Sequence, residues 1–130
     1  MQTVTWQQLY DQAVATCQPR DVSDSMYVGS VAAAILTARG DVYTGISIDT
    51  TCSIGYCAER NALGSMLTAG ATDVVGLVAV RGRDILLPCG VCREFMMQLG
   101  QHSGDIEILT SIAPVQTTRL ATLYPNFWNA

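Results

Sequence analysis

Two short cysteine-containing segments constrain this chain more than any other feature of its sequence. The first reads Cys57-Ala58-Glu59, and the second reads Pro88-Cys89-Gly90-Val91-Cys92. Three thiolates from two separate segments are typical of a zinc site, which requires the segments to meet in the folded chain. Since a structural zinc is usually closed by a fourth Cys or His, this set leaves one position open for water. The spacing therefore predicts a catalytic zinc site formed by Cys57, Cys89 and Cys92.

An acidic residue, Glu59, stands two positions after the first of these cysteines. A carboxyl group beside a zinc ion that activates water can accept protons and return them. We therefore predict that Glu59 is the general acid and base of a hydrolytic reaction. A different interpretation is a structural zinc site in which Cys52 supplies a fourth thiolate, but that interpretation leaves Glu59 without a role.

The hydrophobic pattern predicts an alternation of helices and strands around the two segments. It predicts a helix over 5–17 that Pro19 ends, a polar connection over 20–25, a strand hairpin over 31–38 and 42–49 turned by Arg39-Gly40-Asp41, a helix over 57–69, a strand over 74–81, a helix over 89–99 and a strand over 106–111. Strand–helix–strand crossovers favour parallel strands, so we expect an α/β fold, a three-layer α/β/α sandwich with a mixed sheet.

Both cysteine segments begin predicted helices in this arrangement. The first N–H groups of a helix have no partner within it, and its N-terminus carries a partial positive charge. Two such ends facing the thiolates stabilise negative charge there. A zinc ion with three thiolates nevertheless keeps a net negative charge, so we expect Arg60 and Arg93 to draw charge from sulfur. The alternative is that both are ordinary arginines on helix surfaces.

Length and composition limit the other possibilities. With 130 residues, we expect one domain spanning 1–130. The chain is 49% hydrophobic and only 14% charged, so we expect subunit contacts to cover part of its apolar surface. The net charge is −4, and the seven basic residues are all arginines without a basic run. This balance argues against a nucleic acid polymer as partner.

The N-terminal residues indicate a reducing compartment, in which the two cysteines outside the motif would be free thiols. Met1 to Val4 do not resemble a signal peptide, and no apolar run is long enough for a membrane span, so we expect a cytoplasmic protein without a membrane partner. Reduced thiols are typical of that compartment. We expect Cys17 to pack in the core on an apolar helix face. Cys52 precedes the first zinc helix, and we expect it to pack there, with substrate contact as the alternative.

The two cysteine segments resemble those of the cytidine deaminase family. A Glu two residues after the first ligand, followed by Pro-Cys-x-x-Cys, is the pattern of zinc nucleobase deaminases. The resemblance extends to Arg60, Arg93 and the closing run 123–128, and so covers nearly the whole chain. It implies one zinc ion per chain and hydrolytic deamination of a cytosine nucleoside, cytidine or deoxycytidine. It also implies that Ala58 offers its backbone N–H to the pyrimidine carbonyl, that Arg60 draws charge from the thiolates, and that Pro88 supports the second cysteine segment, which it precedes.

The residues that would contact the substrate depart from the family pattern. Nucleoside deaminases of this family hold the ribose with Asn-x-Glu, whereas this chain has Ser47-Ile48-Asp49. We expect Ser47 and Asp49 to face the sugar. Gly29 stands where many members place an aromatic residue that stacks on the base. The loop 50–56 is also one residue shorter than the usual nucleoside deaminase pattern, and in this loop and at Gly29 the chain resembles blasticidin S deaminase. Another cytosine compound, such as blasticidin S or a modified nucleoside, is therefore an alternative substrate. A non-catalytic zinc-stabilised binding protein is a third possibility, which Glu59 argues against.

The aromatic C-terminus suggests how the chain assembles. In the tetrameric members of the family, an aromatic residue near the C-terminus enters the active site of a neighbouring subunit. Trp128, or alternatively Phe127, stands at that place here. The resemblance therefore implies a homotetramer with shared active sites. The alternative is that Tyr124, Phe127 and Trp128 only seal the edge of the sheet.

Overall fold

The structure is a computed structural model that describes residues 4–129. Met1 to Thr3, which belong to the segment expected not to be a signal peptide, lie outside the described residues. Its elements, in chain order, are α1 (Trp6–Thr16), β1 (Arg20–Ser23), β2 (Met26–Thr37), β3 (Val42–Thr50), α2 (Ala58–Thr68), β4 (Val74–Arg81), β5 (Asp84–Leu86), α3 (Gly90–Met97), a 3₁₀ turn (Ser103–Asp105), β6 (Glu107–Ile112), β7 (Val115–Arg119) and α4 (Leu120–Leu123). Within these residues, no helix has the length and hydropathy needed to span a membrane.

The strands form one mixed sheet, as predicted. β2 pairs antiparallel with β3 on one edge and with β4 on the other, and β7 pairs antiparallel with β6. β4 and β6 form a parallel pair through Gly76 and Leu77 opposite Glu107 and Ile108. The crossover through α2 also joins two strands of equal direction, β3 and β4, but β2 lies between them. We expected the two strands joined by each crossover to pair in parallel. This holds for β4 and β6, which are joined through α3, but not for β3 and β4, which are joined through α2.

Alternation along the strands divides the helices between the two faces of the sheet. On β4, Leu77 packs with residues of α2 and α3, whereas the next residue, Val78, packs with residues of α1. The same division separates Ile108 from Leu109 on β6. Successive side chains of a strand point to opposite faces, so α1 covers one face while α2, α3 and α4 cover the other. This confirms the predicted three-layer sandwich.

Three strands were not predicted, and β2 is longer than predicted. β1 lies in the segment predicted to be a polar connection, β5 and β7 follow predicted elements, and β2 begins at Met26 rather than at residue 31. All four residues of β1 are exposed, and β7 is exposed at four of its five positions. These short strands join the sheet through backbone hydrogen bonds, so their sequences carry no alternation of apolar and polar residues.

A close approach at Gly45 fixes the helix that carries the first cysteine segment. A β-carbon at Gly45 would lie 2.4 Å from the Ala62 nitrogen and 2.6 Å from the Ala58 carbonyl oxygen of α2. The Asn61 side chain also accepts a hydrogen bond from the Ile46 N–H, at 3.0 Å. Only a residue without a side chain leaves α2 this close to β3. The start of α2 is thereby held above the end of β3, where the candidate site lies.

Candidate functional site

The fold brings the three motif cysteines together. Cys57 is the N-cap of α2, Cys89 is the N-cap of α3, and Cys92 lies in the first turn of α3. The Sγ atom of Cys89 lies 3.3 Å from that of Cys57 and 3.5 Å from that of Cys92. All three sulfur atoms lie within 4.8 Å of one another. Two helix N-termini therefore meet at one thiol cluster, as the sequence predicts.

The charge balance of this cluster favours a bound cation. Burial raises the pKa of the Cys92 thiol far above its ordinary value, and the negative charge of Glu59 raises it further. Burial and the neighbouring Cys89 thiol raise the pKa of Cys57, while Arg60 opposes this rise. Burial also acts to raise the pKa of Cys89, but N–H groups of the first turn of α3 lower it overall. Thiolates packed this closely need a positive charge among them, and three sulfur donors fit zinc.

Cys52 is not part of this cluster. Its side chain is exposed, and its Sγ atom donates to the Thr50 hydroxyl at 3.6 Å. The interpretation of a closed structural site with a fourth thiolate from Cys52 therefore lacks its fourth ligand. The prediction that Cys52 packs within the chain is also wrong, because the loop that carries it faces solvent. Cys17 is half-buried as the C-cap of α1 and packs with the core beneath that helix, close to the prediction.

Glu59 lies in the first turn of α2 and is only 5% exposed. Burial raises the pKa of its carboxyl group, while its own backbone N–H and the positive charge of Arg60 oppose the rise. A carboxylate with a raised pKa accepts a proton more readily than an exposed one, and it is protonated, and so able to act as an acid, for a larger fraction of the time near neutral pH. The position and the environment of Glu59 therefore suit a group that accepts and donates protons.

A cavity of about 530 Å³ opens beside the cysteines and Glu59. Three of the predicted substrate residues, Ser47, Asp49 and Ala58, line it, whereas Phe127 and Trp128 do not. The full lining consists of Ser30, Val31, Ser47, Ile48, Asp49, Thr50, Ser53, Gly55, Tyr56, Cys57, Ala58, Glu59, Arg60, Arg81, Leu86, Leu87 and Cys89. Its size falls in the range of small-molecule sites.

Ser47 and Asp49 differ in what they offer to a ligand in this cavity. The Ser47 hydroxyl accepts a hydrogen bond from the Val31 N–H at 3.0 Å and lies 3.1 Å from the Ser30 hydroxyl. Ser47 is buried, and its oxygen is largely occupied within the protein. Asp49 is exposed, and within residues 4–129 its carboxylate forms no side-chain hydrogen bond. Asp49 is therefore the more available of the two.

Gly29 is required by the backbone and does not leave a gap beside the cavity. Its φ angle is +82°, and a β-carbon there would lie 2.3 Å from the Gln18 carbonyl oxygen. That direction leads toward the connection between α1 and β1, and Gly29 is absent from the cavity lining. The sequence-based interpretation of Gly29 as a missing stacking aromatic is therefore wrong for this backbone. A side chain at this position would meet the main chain before it met a ligand.

Of the two motif arginines, only Arg60 reaches a thiol. Its Nη2 atom lies 3.9 Å from the Cys57 Sγ atom, and its guanidinium carbon lies 5.9 Å from the centre of the Tyr56 ring. Arg93 instead donates to two main-chain carbonyls, those of Pro88 at 2.8 Å and Leu123 at 3.0 Å. The expectation that Arg93 draws charge from sulfur is therefore not met by a direct contact.

The sequence analysis did not identify several residues that line the cavity. Tyr56 enters it from the loop before α2, and Leu86 and Leu87 enter it from the unpredicted strand β5 and the residue after it. Arg81 enters it from the end of β4. Alternation along this predicted strand places Arg81 on the same face as Ala79, which packs against Ala58. The alternation of side chains along the predicted strand could therefore have identified Arg81 as a residue of the site.

The C-terminal aromatic residues pack against α3 and not at the edge of the sheet. Tyr124 donates to the Glu94 carboxylate at 2.6 Å, and the Trp128 Nε1 atom donates to the same carboxylate at 3.1 Å. Phe127 lies between them, with its ring centre 5.2 Å from that of Tyr124. Trp128 is 68% exposed. These contacts do not support the alternative that the aromatic residues only seal the sheet.

The chain is similar to known proteins over nearly its full length. A family model described as the cytidine and deoxycytidylate deaminase zinc-binding region matches residues 5–104. A cytidine deaminase of Mycobacterium tuberculosis (strain CDC 1551 / Oshkosh) is 30% identical over 128 residues, which are 97% of this chain and 91% of that protein. The crystal structure of cytidine deaminase from Mycobacterium leprae superposes with a TM-score of 0.76 at 27% identity, covering 95% of this chain and 100% of that one.

A shorter similarity connects the chain to a protein with a different name. Blasticidin-S deaminase from Bacillus cereus is 33% identical over 76 residues, which are 51% of this chain and 54% of that protein. This match covers about half of either chain, whereas the match with the Mycobacterium tuberculosis cytidine deaminase covers 97% of this one.

Proposed function

The chain belongs to the cytidine and deoxycytidylate deaminase family, and we propose that it deaminates a cytosine nucleoside hydrolytically, converting cytidine or deoxycytidine and water to uridine or deoxyuridine and ammonia. One observation carries the proposal: the buried Glu59 carboxyl and the three-thiol cluster adjoin the same cavity. The cavity provides room for a small substrate beside both groups.

In this proposal, Cys57, Cys89 and Cys92 hold one zinc ion per chain. When bound, zinc acts as a Lewis acid that makes a water molecule more acidic and more nucleophilic at neutral pH. Arg60 places a positive charge near the Cys57 thiolate and so reduces the net negative charge of the site. The N-terminal turns of α2 and α3 act in the same direction.

Glu59 carries the protons of the reaction. It accepts a proton from the attacking water, whose oxygen adds to C4 of the cytosine ring. It passes this proton to the ring nitrogen, then takes the proton of the new hydroxyl group on C4 and delivers it to the amino group. The amino group leaves as ammonia when its bond to C4 breaks and the C4 carbonyl forms. The Ala58 N–H, in the first turn of α2, lacks a partner within the helix and is available to the pyrimidine carbonyl. The same carboxyl thus acts first as base and then as acid.

A panel of cytosine compounds tests the proposed substrate. We expect ammonia release from cytidine and deoxycytidine, measured with the zinc-loaded protein at equal concentrations of each compound. Cytosine, cytidine monophosphate and blasticidin S complete the panel and separate the base, the nucleotide and the antibiotic from the nucleosides. Faster release from blasticidin S than from both nucleosides would contradict the proposal, and release from none would reject catalysis on cytosine compounds.

Asp49→Ala is expected to weaken binding of the sugar. Since Asp49 lines the cavity with a carboxylate that is free to accept hydroxyl donors, its loss removes about 1.5–3 kcal/mol of charge-assisted hydrogen bonding, or roughly tenfold to a hundredfold in KM. Steady-state kinetics with cytidine and with cytosine give the comparison. Equal effects of the substitution on both compounds would show that Asp49 does not contact the sugar.

We also propose that the protein is a homotetramer that acts on small molecules rather than on nucleic acid polymers. Large apolar side chains are exposed in the segments that carry the site. Leu87, which lines the cavity, is 47% exposed, Ile54 in the loop before α2 is 76% exposed, and Val91 between the ligands Cys89 and Cys92 is 56% exposed. An apolar surface of this kind favours association. Light scattering at assay concentration is expected to give four times the chain mass of 13.9 kDa. A fully active monomer would contradict this proposal and the assignment of Trp128 to a neighbouring active site.

A further inference from the structure

We propose that Arg93 is a positioning residue that joins the zinc-ligand turn at Pro88 and Cys89 to the chain's own C-terminal segment, residues 124–129, so that this segment influences how firmly zinc is held. The inference rests on the zinc site of the proposed function. It gives the C-terminal aromatic residues a role within their own chain, in addition to any contact with a neighbouring one.

Arg93 is placed to hold two stretches of main chain at once. It follows the ligand Cys92, and its backbone N–H donates to the Cys89 carbonyl at 3.0 Å. Its side chain donates from Nε to the Pro88 carbonyl at 2.8 Å and from Nη1 to the Leu123 carbonyl at 3.0 Å. Because the guanidinium group is planar and rigid, these two donors cannot shift independently. The positions of Pro88 and Leu123 are therefore linked.

The ligand turn depends on this contact because it has few others. Pro88 has no N–H, so its carbonyl is the only main-chain group through which a hydrogen bond can hold it. Cys89 is the N-cap of α3 but makes no capping hydrogen bond with its side chain. The Pro88 carbonyl belongs to the peptide group that leads into Cys89, so its orientation determines where the Cys89 side chain begins. Arg93 supplies the donor that holds this peptide group.

The C-terminal segment is anchored by the next residue of the same helix. Glu94 accepts hydrogen bonds from Tyr124 at 2.6 Å and from Trp128 at 3.1 Å. Between them, Asn126 has a φ of 57°, a left-handed conformation that turns the chain back toward α3. The segment is thus held at both ends by Glu94, directly after the Leu123 carbonyl that Arg93 binds. Release of the segment would free Leu123 and, with it, one of the two contacts of Arg93.

Zinc affinity tests the inference directly. We expect Arg93→Ala to weaken zinc binding by about tenfold to a hundredfold, the range typical of groups that orient metal ligands, in competition with a chromophoric chelator. Arg93→Lys keeps hydrogen-bond donors but lacks the planar guanidinium group that holds two of them in a fixed geometry. It should therefore recover only part of the lost zinc affinity. Excess zinc should restore kcat with little change in KM, because the substrate contacts remain. Arg119→Ala, which removes an exposed arginine paired with Asp105, is the matched control and should stay within twofold of the parent.

Tyr124→Phe tests the contribution of the C-terminal segment. It removes only the hydroxyl that donates to Glu94, so we expect a smaller loss of zinc affinity and little further loss when it is added to Arg93→Ala. Hydrogen exchange of the zinc-free protein should quicken over residues 120–124 in both variants.

Zinc affinity of Arg93→Ala within twofold of the parent would overturn the inference, and unchanged affinity of Tyr124→Phe would overturn the part that concerns the segment. If Arg93→Ala does not fold, Arg93→Lys and Tyr124→Phe decide the matter. A parent that holds no zinc would overturn the proposed site and the inference with it.

Discussion

Glu59→Gln is expected to lower kcat by at least ~10²–10⁴-fold, the range typical of one positioned acid–base group. The loss should be toward the upper end or beyond, because the proposed reaction passes several protons through this one carboxyl. The amide has the same shape but neither accepts a proton from water nor returns it. Steady-state measurement of ammonia release from cytidine gives kcat for the parent and the variant.

The same substitution should leave the fold and the zinc content unchanged. Burial already raises the pKa of Glu59, so a neutral amide is no harder to bury in its place. Elemental analysis and thermal unfolding check both points. Glu107→Gln, on β6 and outside the cavity lining, is the control and should keep full activity. Activity of Glu59→Gln within tenfold of the parent would reject the proposed role of Glu59.

Cys89→Ala is expected to abolish stable zinc binding and, with it, the activity. Groups that only orient ligands account for about tenfold to a hundredfold in metal affinity, and loss of a direct ligand should exceed this. Elemental analysis after gel filtration should find about one zinc per chain in the parent and far less in the variant. Cys52→Ala removes an exposed thiol outside the cluster and should retain zinc.

Zinc removal should also lower the stability of the parent. A ligand present at a hundred times its Kd stabilises the folded state by about 2.7 kcal/mol. In a domain of this size, 1 kcal/mol corresponds to roughly 4 °C in Tm. A chelator should therefore lower the Tm of the parent by about 10 °C and change that of Cys89→Ala much less. Undiminished zinc in Cys89→Ala would contradict the assignment of this ligand.

The helices and strands with a strong apolar periodicity were predictable from the sequence. The short strands that are held only by pairing at an edge of a longer strand were not. β4 has the predicted bounds, and the bounds of α1, β3, α2 and α3 differ from the predicted ones by one or two residues. These segments bury an apolar face, which produces a repeating pattern in the sequence. β1, β5 and β7 are held by main-chain hydrogen bonds at the edges of longer strands. No side-chain pattern is required for such pairing.

The chemistry of the site follows from residue types and spacing, which belong to the sequence by itself. Three cysteines in two helix-starting segments, with Glu59 beside the first, suffice to predict a zinc ion and an acid–base group, because metals and protons depend on which atoms are present. The deamination reaction was implied by the resemblance of these segments to the cytidine deaminase family. The surroundings of these groups were decided by tertiary structure. Ser47 is occupied by Val31, Gly29 faces the backbone of Gln18, and Arg93 holds Pro88 and Leu123. Each of these facts depends on which segment lies within about 3 Å of another, and that distance is set by the packing of the whole chain.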